Sequence, residues 1–450
     1  MQSCGCTEYS RAGRGLPAIE PGMPAPAGTG LTRRSFISRV SGLALSVYGA
    51  SALGPKAFER GIAAAAALDP GGRILVSIFL SGGVDSLTLL APDPAAHPRY
   101  ATLRPTLGLP AGQGIAFGED PGLRWHPAAA GLATLHGEGK LTVFPAVGYD
   151  DPTQSHFTGR HYWEVGEVNP GGRWGWLGRY LDRHGATDNP LQGLTLGTSL
   201  MPSIAAQQMP VATVARPHQY SFSAAGVEAP VAGDMIEAFG GLSAPDAADP
   251  ALRYARGELA AVNRLREQLG PLQAGYSTPV GVAYPDVPFG QRLAALAAMI
   301  DAGLPLKVVA LEAHGTYDTH GAQASTLVPN LQLAIPCLVE FQRDLEARGL
   351  EDRVLVHVWT EFGRRPQENG SGTDHGAAGI GVVMGSKASG QMVGSFPGLA
   401  ASDLDEDDNL RATSDFRGAY CALLEQWLEV DAGEIIPGAA SFARPTLVAA

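Results

Sequence analysis

The sequence predicts an α/β fold built on a mostly parallel sheet with helices on both faces. Short apolar runs that end in glycine or in polar clusters alternate with longer segments whose apolar residues recur at helical spacing. The 450 residues are 45% hydrophobic and 17% charged, a composition that excludes an intrinsically disordered chain. Buried strands that alternate with helices are typical of a sheet covered on both sides.

Five apolar runs are predicted as strands, and four segments between and after them as helices. Continuous apolar runs of this length are typical of strands that are buried on both faces. The predicted strands are residues 74–80, 141–147, 306–311, 354–360 and 381–384. The predicted helices are residues 252–269, 292–302, 331–348 and 415–428, with glycine or proline as stop signals after several of them.

Residues 1–67 are predicted to be a twin-arginine export signal. Arg33 and Arg34 precede a weakly apolar run at 40–53, and the alanines at 63–67 offer a cleavage site. The run is too short and too rich in Gly and Ser to cross a membrane, and no second apolar segment of about 20 residues follows. We expect a periplasmic or secreted protein without a transmembrane segment in its mature form. The alternative is an ordinary amphipathic helix with two chance arginines.

Residues 68–450 are predicted to form a single domain, because nothing in the composition requires a boundary. Residues 186–250 are rich in Gly, Ala and Pro and are interpreted as an insertion or cap. The net charge of −12 argues against a general nucleic-acid binder. The four cysteines show no disulfide framework and no metal-binding spacing.

Polar clusters follow four of the predicted strands. In open α/β sheets, ligands bind just beyond the carboxyl ends of the strands. In order along the chain the clusters contain Asp85, then Ser155 and His156, then Asp318 and His320, and finally Glu361, Arg364, Asp374 and His375. We therefore expect these side chains to meet in one cleft at a single edge of the sheet.

A cluster of Asp, Glu and His without a thiolate suits a divalent cation such as zinc. Asp318 and His320 form the strongest local pair, because residues i and i+2 of an extended loop can face one ion. His375 could complete a three-ligand site with a position open to water or substrate. For any one of these residues alone, a loop-stabilising hydrogen bond is the alternative. His357 lies inside an apolar strand and is interpreted as a core residue.

The sequence SGGVDS at 81–86 resembles the pyrophosphate loop of N-type ATP pyrophosphatases, in which backbone amides and a helix N-terminus hold phosphates. Pro92 and Pro94 would end the following helix within about two turns. An exported protein also meets little ATP, so this interpretation is not favoured.

Several motifs together resemble the domain of unknown function 1501 family of twin-arginine-exported bacterial proteins. The motifs are FLSGGVD at 79–85, SHF at 155–157, GWLGR at 175–179, DTH at 318–320, TEFGRR at 360–365, ENGSGTDHG at 368–376 and DFR at 415–417. That family is similar to the alkaline phosphatase and sulfatase superfamily. The resemblance implies an alkaline phosphatase-like α/β fold whose metal site binds phosphate- or sulfate-like groups.

The resemblance also implies roles for individual residues. The implied metal ligands are Asp85, Asp318, His320, Glu361, Asp374 and His375. Ser155 stands at the position of the nucleophile, and His156 and Arg364 are further catalytic candidates. Phe362 stands where a second ligand histidine is implied, and a phenyl ring cannot bind a metal. No Cys-x-Pro-x-Arg sequence occurs, which excludes a sulfatase with a modified cysteine.

Two functions remain open from the sequence. The first is a metal-dependent hydrolase of phosphate or sulfate esters, in which Arg364 or Arg365 clamps a small anionic substrate. The alternative is a non-catalytic envelope protein that keeps a phosphatase-like fold and binds a protein partner.

Overall fold

A computed structural model describes residues 72–219 and 250–449, together with Ala238 and Gly241. The export signal predicted at residues 1–67 lies outside the described residues. The same holds for residues 220–249 of the predicted insertion, except Ala238 and Gly241. Between these limits the chain is organised around an eight-stranded sheet, with a two-stranded and a three-stranded sheet beside it.

The strands follow one another along the chain in the order of their numbers. They are β1 Ile74–Phe79, β2 Leu90–Pro92, β3 Ile115–Ala116, β4 Leu123–Trp125, β5 Leu141–Gly148, β6 Gly193–Thr195, β7 Ala212–Thr213, β8 Val308–Glu312, β9 Val354–Trp359, β10 Arg364–Glu368, β11 Thr373–His375, β12 Gly379–Met384 and β13 Ser414–Asp415. All five strands predicted from apolar runs are present, with ends that differ by one or two residues.

The α-helices of the described chain are numbered in the same way. They are α1 Ser86–Leu89, α2 Arg99–Leu103, α3 Ala130–Gly137, α4 His156–Val165, α5 Trp176–His184, α6 Pro250–Leu269, α7 Pro288–Asp301, α8 Gln323–Arg348 and α9 Phe416–Ala422. The helix predicted at 415–428 is α9 continued by a π turn at Leu423–Trp427. The helix α1 has only four residues and runs into β2, in line with the prediction that the prolines end it early.

The large sheet has the strand order β13-β5-β12-β9-β1-β8-β6-β7. Its neighbouring strands are parallel except at β12, which runs antiparallel to both β5 and β9. The chain leaves the carboxyl end of β9, forms the antiparallel hairpin β10–β11 and returns as β12. The hairpin therefore lies at the same edge as the carboxyl ends of the parallel strands. The predicted α/β class with a mostly parallel sheet is confirmed.

Helices cover both faces of this sheet, as predicted. Along β1, Ile74, Val76 and Ile78 belong to one apolar cluster, whereas Leu75 and Phe79 belong to another. This alternation follows from the two-residue period of a strand. The first cluster includes side chains of α3, α6, α7 and α8, and the second includes side chains of α4, α5 and α9.

The helix α8 differs most from its prediction. It begins at Gln323, eight residues earlier than expected, and contains Pro329 and Pro336 in its interior. A proline removes one helical hydrogen bond and usually kinks or ends a helix. Here Leu327 and Leu331 are buried in the first apolar cluster, so packing on the sheet outweighs the proline at 329. By length and composition α8 could also cross a membrane, but many of its residues pack in the core.

Candidate metal centre

Four loops meet beyond the carboxyl ends of β1, β5, β8 and β9. The loop after β1 lies directly against the loop that carries Asp318. Gly82 has a φ of 116°, and a Cβ atom on it would lie 2.4 Å from the backbone nitrogen of Asp318. Gly372 lies equally close to the loop of Asp318, since its Cβ would be 2.3 Å from the carbonyl oxygen of Thr319. Only glycine fits at these two positions without displacing a ligand-bearing loop.

Three imidazoles surround one carboxylate oxygen at this edge. The Oδ1 atom of Asp318 lies 3.5 Å from Nε2 of His156, 3.3 Å from Nε2 of His320 and 3.5 Å from Nε2 of His375. His156, Asp318 and His375 can each bring one ligand atom within 4.8 Å of the others, a grouping that could hold a metal ion. The Nε2 atoms of His320 and His375 are 2.9 Å apart.

The Nδ1 atom of each imidazole, on the side away from Asp318, makes a hydrogen bond that orients the ring. Nδ1 of His156 lies 2.7 Å from Oε1 of Glu361, and Nδ1 of His375 lies 2.7 Å from the backbone oxygen of Gln154. Nδ1 of His320 lies 3.0 Å from Oδ1 of Asp374. A carbonyl oxygen and an ionised carboxylate only accept hydrogen bonds, so each Nδ1 carries the proton. In the neutral rings the three Nε2 atoms therefore present lone pairs to a common space.

The lone pairs of His320 and His375 face each other at 2.9 Å, a repulsive arrangement unless a proton or a cation lies between the rings. Nε2 of His156 is buried, and its contact with Oδ1 of Asp318 at 3.5 Å is at the outer limit of a hydrogen bond. Burying a polar atom with so weak a partner costs free energy. A proton or a metal ion between these nitrogen atoms would account for both observations.

The buried carboxylates set the electrostatics of the centre. Burial by itself lowers the pKa of His156, but hydrogen bonds and charge from Asp318 and Glu361 raise that pKa to about 9. Burial raises the pKa of Glu361, yet His156 and the amides of the loop after β1 hold it below its ordinary value. For His375, burial lowers the pKa and the hydrogen bond with Asp318 only partly opposes this. Without a metal, His156 is thus the imidazole that carries a second proton, on Nε2, near neutral pH.

Phe362 forms the apolar wall of the cluster. Its ring centroid is 4.8 Å from those of both His156 and His375, and the two imidazoles are 4.3 Å apart. The phenyl ring fixes two imidazole planes without competing for their nitrogen atoms. The expectation that Phe362 contributes no ligand is consistent with this packing role.

Arg364 was predicted to clamp a substrate anion, but its guanidinium is engaged within the protein. Its side chain is fully buried, and its guanidinium donates to the backbone oxygens of Gly83 and Thr373 at 2.7 and 2.9 Å. It also donates to Oδ1 of Asp318 at 2.6 Å. Arg364 therefore fixes a carboxylate of the cluster and is not exposed to clamp a substrate anion. Arg365, the other candidate, is half-buried in β10.

Asp85 was expected to be a metal ligand, but it forms a buried ion pair with Arg104. Both side chains are fully buried, and the guanidinium contacts both carboxylate oxygens of Asp85. Thr88 and Gln323 donate to the same carboxylate at 2.7 and 2.6 Å. Burial raises the pKa of Asp85, and Arg104 more than reverses that effect. With these donors in place, Asp85 cannot act as a ligand.

Glu361 and Asp374 were also predicted as direct ligands, and they lie on the outer side of the imidazoles. Glu361 accepts from Nδ1 of His156 and from the backbone amides of Gly82 and Gly83 at about 3 Å. Asp374 is exposed and accepts from His320 and from Asn369. Their contacts orient the histidines, so neither carboxylate belongs to the inner cluster.

Ser155 is the N-cap residue of α4, directly before His156. Its hydroxyl accepts from the backbone amide of Thr158 at 3.5 Å, a long hydrogen bond. The amide end of α4 therefore faces the site edge beside the cluster. A role of Ser155 as nucleophile stays a prediction.

Sequence reasoning missed the partners that hold the cluster. His156 was assigned a catalytic role, whereas its Nε2 faces Asp318 together with the two predicted ligand histidines. Arg104 and Gln323 were not singled out, because a contact across many residues leaves no local pattern. Asn369 lies in a motif that was recognised, and its amide ties Asp374 to the backbone of His320.

The fold and the cluster define an α/β protein with a histidine–carboxylate site at the carboxyl edge of its sheet. The chain belongs to the DUF1501 family, described as proteins of unknown function, whose model matches residues 151–435. That match contains the loops of His156, Asp318, His320 and His375. No curated protein matches the chain in sequence.

Two solved structures show a weak likeness to the chain. One is the PsFucS1 sulfatase from Pseudoalteromonas sp., with 12% identity and a TM-score of 0.34, covering 88% of this chain and 78% of that one. The other is Ps i-CgsB in complex with k-i-k-neocarrahexaose, with 11% identity and a TM-score of 0.33, covering 83% and 75%. Likeness at this level does not assign an activity.

Proposed function

We propose that His156, Asp318, His320 and His375 hold one divalent transition metal ion, and that the centre hydrolyses phosphate or sulfate esters. The observation that carries the metal is the set of three Nε2 atoms within 3.5 Å of one carboxylate oxygen, each on a ring held through Nδ1. Imidazole nitrogens with one carboxylate suit zinc and similar ions, whereas magnesium and calcium prefer oxygen ligands.

The buried charges favour an anionic substrate. The carboxylates of Asp318 and Glu361 and the guanidinium of Arg364 are all buried, and together they leave one negative charge when His156 is neutral, as a metal ligand must be. A divalent cation would turn this into one positive charge in a setting of low dielectric. The centre would then attract the anionic group of a phosphate or sulfate ester.

The side chains have separate tasks in this proposal. Glu361 keeps the Nδ1 proton of His156 in place, and Asp374 does the same for His320, so that both Nε2 atoms stay available. Ser155 stands at the N-terminus of α4, where the helix amides favour a negative charge on its oxygen. When bound, a divalent ion lowers the pKa of water or of a hydroxyl and polarises the ester.

The metal is tested by elemental analysis of the purified protein. We expect about one ion per chain in the wild type and none in His156→Ala/His375→Ala. The matched control is His97→Ala/His184→Ala, which removes two histidines outside the centre and should keep the metal. Metal-free wild-type protein, prepared under conditions that supply zinc, would overturn the proposed centre.

The chemistry is tested with nitrophenyl phosphate and nitrophenyl sulfate. Hydrolysis should follow metal content, and Ser155→Gly should abolish it while costing only a few tenths of a kcal/mol of helix capping. A metal-loaded protein that hydrolyses neither ester would favour the non-catalytic envelope protein instead. The burial of Arg364 and the ion pair of Asp85, which remove two expected site residues, are the observations on the side of that alternative.

Export by the twin-arginine route is also a proposal, supported by the sequence of residues 1–67 alone. Changing Arg33 and Arg34 together to lysine should leave the precursor in the cytoplasm, as measured by fractionation. The single change Arg39→Lys, a few residues beyond the pair, is the matched control. Unchanged appearance of the double variant in the periplasm would rule out this signal.

A further inference from the structure

Beside the proposed metal centre lies a buried polar network that the proposed chemistry does not use. Its central residue is Gln323, the first residue of α8, which is 2% exposed. The backbone amide of Gln323 donates to the carbonyl of Ser371 at 2.8 Å. The preceding residue, Ala322, has a φ of 53°, a left-handed conformation that costs a non-glycine residue free energy.

The amide group of Gln323 connects two ligand-bearing loops. Its Oε1 atom accepts from the hydroxyl of Thr319 at 3.1 Å and from the hydroxyl of Thr373 at 2.6 Å. Thr319 lies between Asp318 and His320 in the sequence, and Thr373 lies two residues before His375. The backbone adds a direct link, because the amide of Thr373 donates to the carbonyl of Thr319 at 3.0 Å.

The other end of the same amide is anchored in the buried ion pair. Nε2 of Gln323 donates to Oδ2 of Asp85 at 2.6 Å. Arg104, the partner of Asp85, donates to the carbonyls of Arg365 and Pro366 at 2.9 and 2.8 Å, in the strand that pairs with β11. The Asp85–Arg104 pair is thus bonded to β10, while Gln323 is bonded to the loop of Thr319 and to β11 at Thr373.

We propose that Gln323 is a positioning residue for the metal centre, which sets the spacing between Asp318, His320 and His375. This inference rests on the proposed function, since it concerns the geometry of the same ligands. Each amide atom of Gln323 is used: the oxygen by two hydroxyls, and the nitrogen by Asp85, whose position is fixed by Arg104. A buried amide with satisfied partners is rigid, and its removal leaves buried hydroxyls without an acceptor.

The experiment measures Co²⁺ affinity and the visible absorption of the Co²⁺-loaded full chain. Gln323→Met keeps the side-chain volume but removes both hydrogen-bonding groups. We expect its Co²⁺ affinity to fall roughly 10–100-fold, as for other losses of outer contacts to metal ligands, and its absorption bands to shift. The melting temperature of the metal-free protein is measured in parallel.

The matched control is Gln342→Met, on the same helix. Gln342 is 1% exposed and donates to Glu346 and Ser386, outside the centre. Gln342→Met should lower the melting temperature of the metal-free protein about as much as Gln323→Met does. It should leave the Co²⁺ affinity and the absorption of the Co²⁺-loaded chain unchanged. Equal Co²⁺ affinity in wild type, Gln323→Met and Gln342→Met would overturn the proposal.

A second pair of variants covers the case in which Gln323→Met does not fold. Thr373→Val removes the hydroxyl that contacts Gln323, and Thr373→Ser retains it. We expect Thr373→Val to weaken Co²⁺ binding and Thr373→Ser to restore wild-type affinity and absorption. Equal affinity in these two variants would refute the positioning role. A wild-type chain that binds no Co²⁺ would instead remove the metal centre itself.

Discussion

Two buried carboxylates lie at the same edge of the sheet, and their surroundings are opposite. Asp85 is saturated, with both oxygens on Arg104 and further donors from Thr88 and Gln323. Asp318 accepts from Arg364 on one side, while on the other it faces three imidazoles whose Nε2 atoms carry no proton in their neutral form. A carboxylate surrounded by donors has a structural role. A carboxylate that faces imidazole nitrogens is balanced by a proton on one of the rings or by a metal ion, and the proposed function assigns the metal to this second carboxylate.

The comparison predicts the largest loss of stability at Arg104. Arg104→Met leaves the carboxylate of Asp85 buried without its cation, and breaking a buried pair in this way costs about 3–5 kcal/mol. Urea unfolding of the metal-free protein measures the loss. The control Arg343→Met removes the exposed partner of Glu340, whose carboxylate also accepts the backbone amide of Ala283, and should cost at most about 1 kcal/mol. Similar losses in the two variants would contradict a structural role for the Asp85 pair.

The next largest effect is expected on metal affinity at the second carboxylate. His375→Ala removes a ligand, so zinc affinity should fall by more than the roughly 10–100-fold that the loss of an outer contact costs. Competition with a chromophoric chelator measures the affinity. The stability of the metal-free protein should change little, because His375 is only partly buried. His97→Ala serves as control and should keep the wild-type affinity; an unchanged affinity of His375→Ala would exclude it as a ligand.

A smaller effect is expected from the carboxylate behind His156. Glu361→Gln keeps an acceptor for Nδ1 but removes the charge that makes the imidazole a stronger ligand, so zinc affinity should fall about 10–100-fold. The matched control is Glu368→Gln, since Glu368 is also largely buried and accepts the backbone amides of Thr106 and Leu107. Equal zinc affinities in the two variants would show that Glu361 only holds the loop after β1 and does not strengthen His156 as a ligand.

The last effect is small near neutral pH and extends the comparison to His357, a buried histidine that makes no ion pair with a carboxylate of the described residues. Burial lowers the pKa of His357 to about 3, whereas the pKa of His156 is raised to about 9. The folded state resists protonating His357, so each pH unit below about 6.5 should cost about 1.4 kcal/mol of stability, down to about pH 3. His357→Phe should remove this part of the acid sensitivity. Identical pH slopes of unfolding free energy in the two proteins would contradict it.

The sequence predicted the positions of the central strands, but not the direction of β12 or the start of α8. Apolar runs such as 74–80 predicted the central strands because these strands are buried on both faces. Their pattern carries no direction, so the antiparallel course of β12 could not be predicted. The early start of α8 was missed because a proline at 329 ends most helices, and only packing against the sheet shows why this one continues.

The site was predicted at the level of loops rather than of contacts. The strand-end rule placed Asp318, His320 and His375 at one edge, and the structure brings their side chains together. The strand-end rule does not distinguish carboxylates that face the imidazole cluster from carboxylates that point away from it. Arg104, directly after α2, neutralises Asp85. Glu361 accepts a hydrogen bond from Nδ1 of His156 and therefore lies behind that imidazole, outside the inner cluster. Such pairings depend on side-chain packing between distant segments and have no signature in local spacing.

The strand order has a consequence for synthesis of the chain on the ribosome. β1 emerges first among the described strands, but its neighbours in the sheet are β8 and β9, which begin at Val308 and Val354. Until Trp359, the last residue of β9, has left the exit tunnel, β1 lacks one of its two neighbours and its apolar side chains remain accessible to chaperones. Contacts over such long sequence separations form slowly. A nascent chain halted before residue 350 should therefore be digested rapidly by protease, whereas the released chain should resist it.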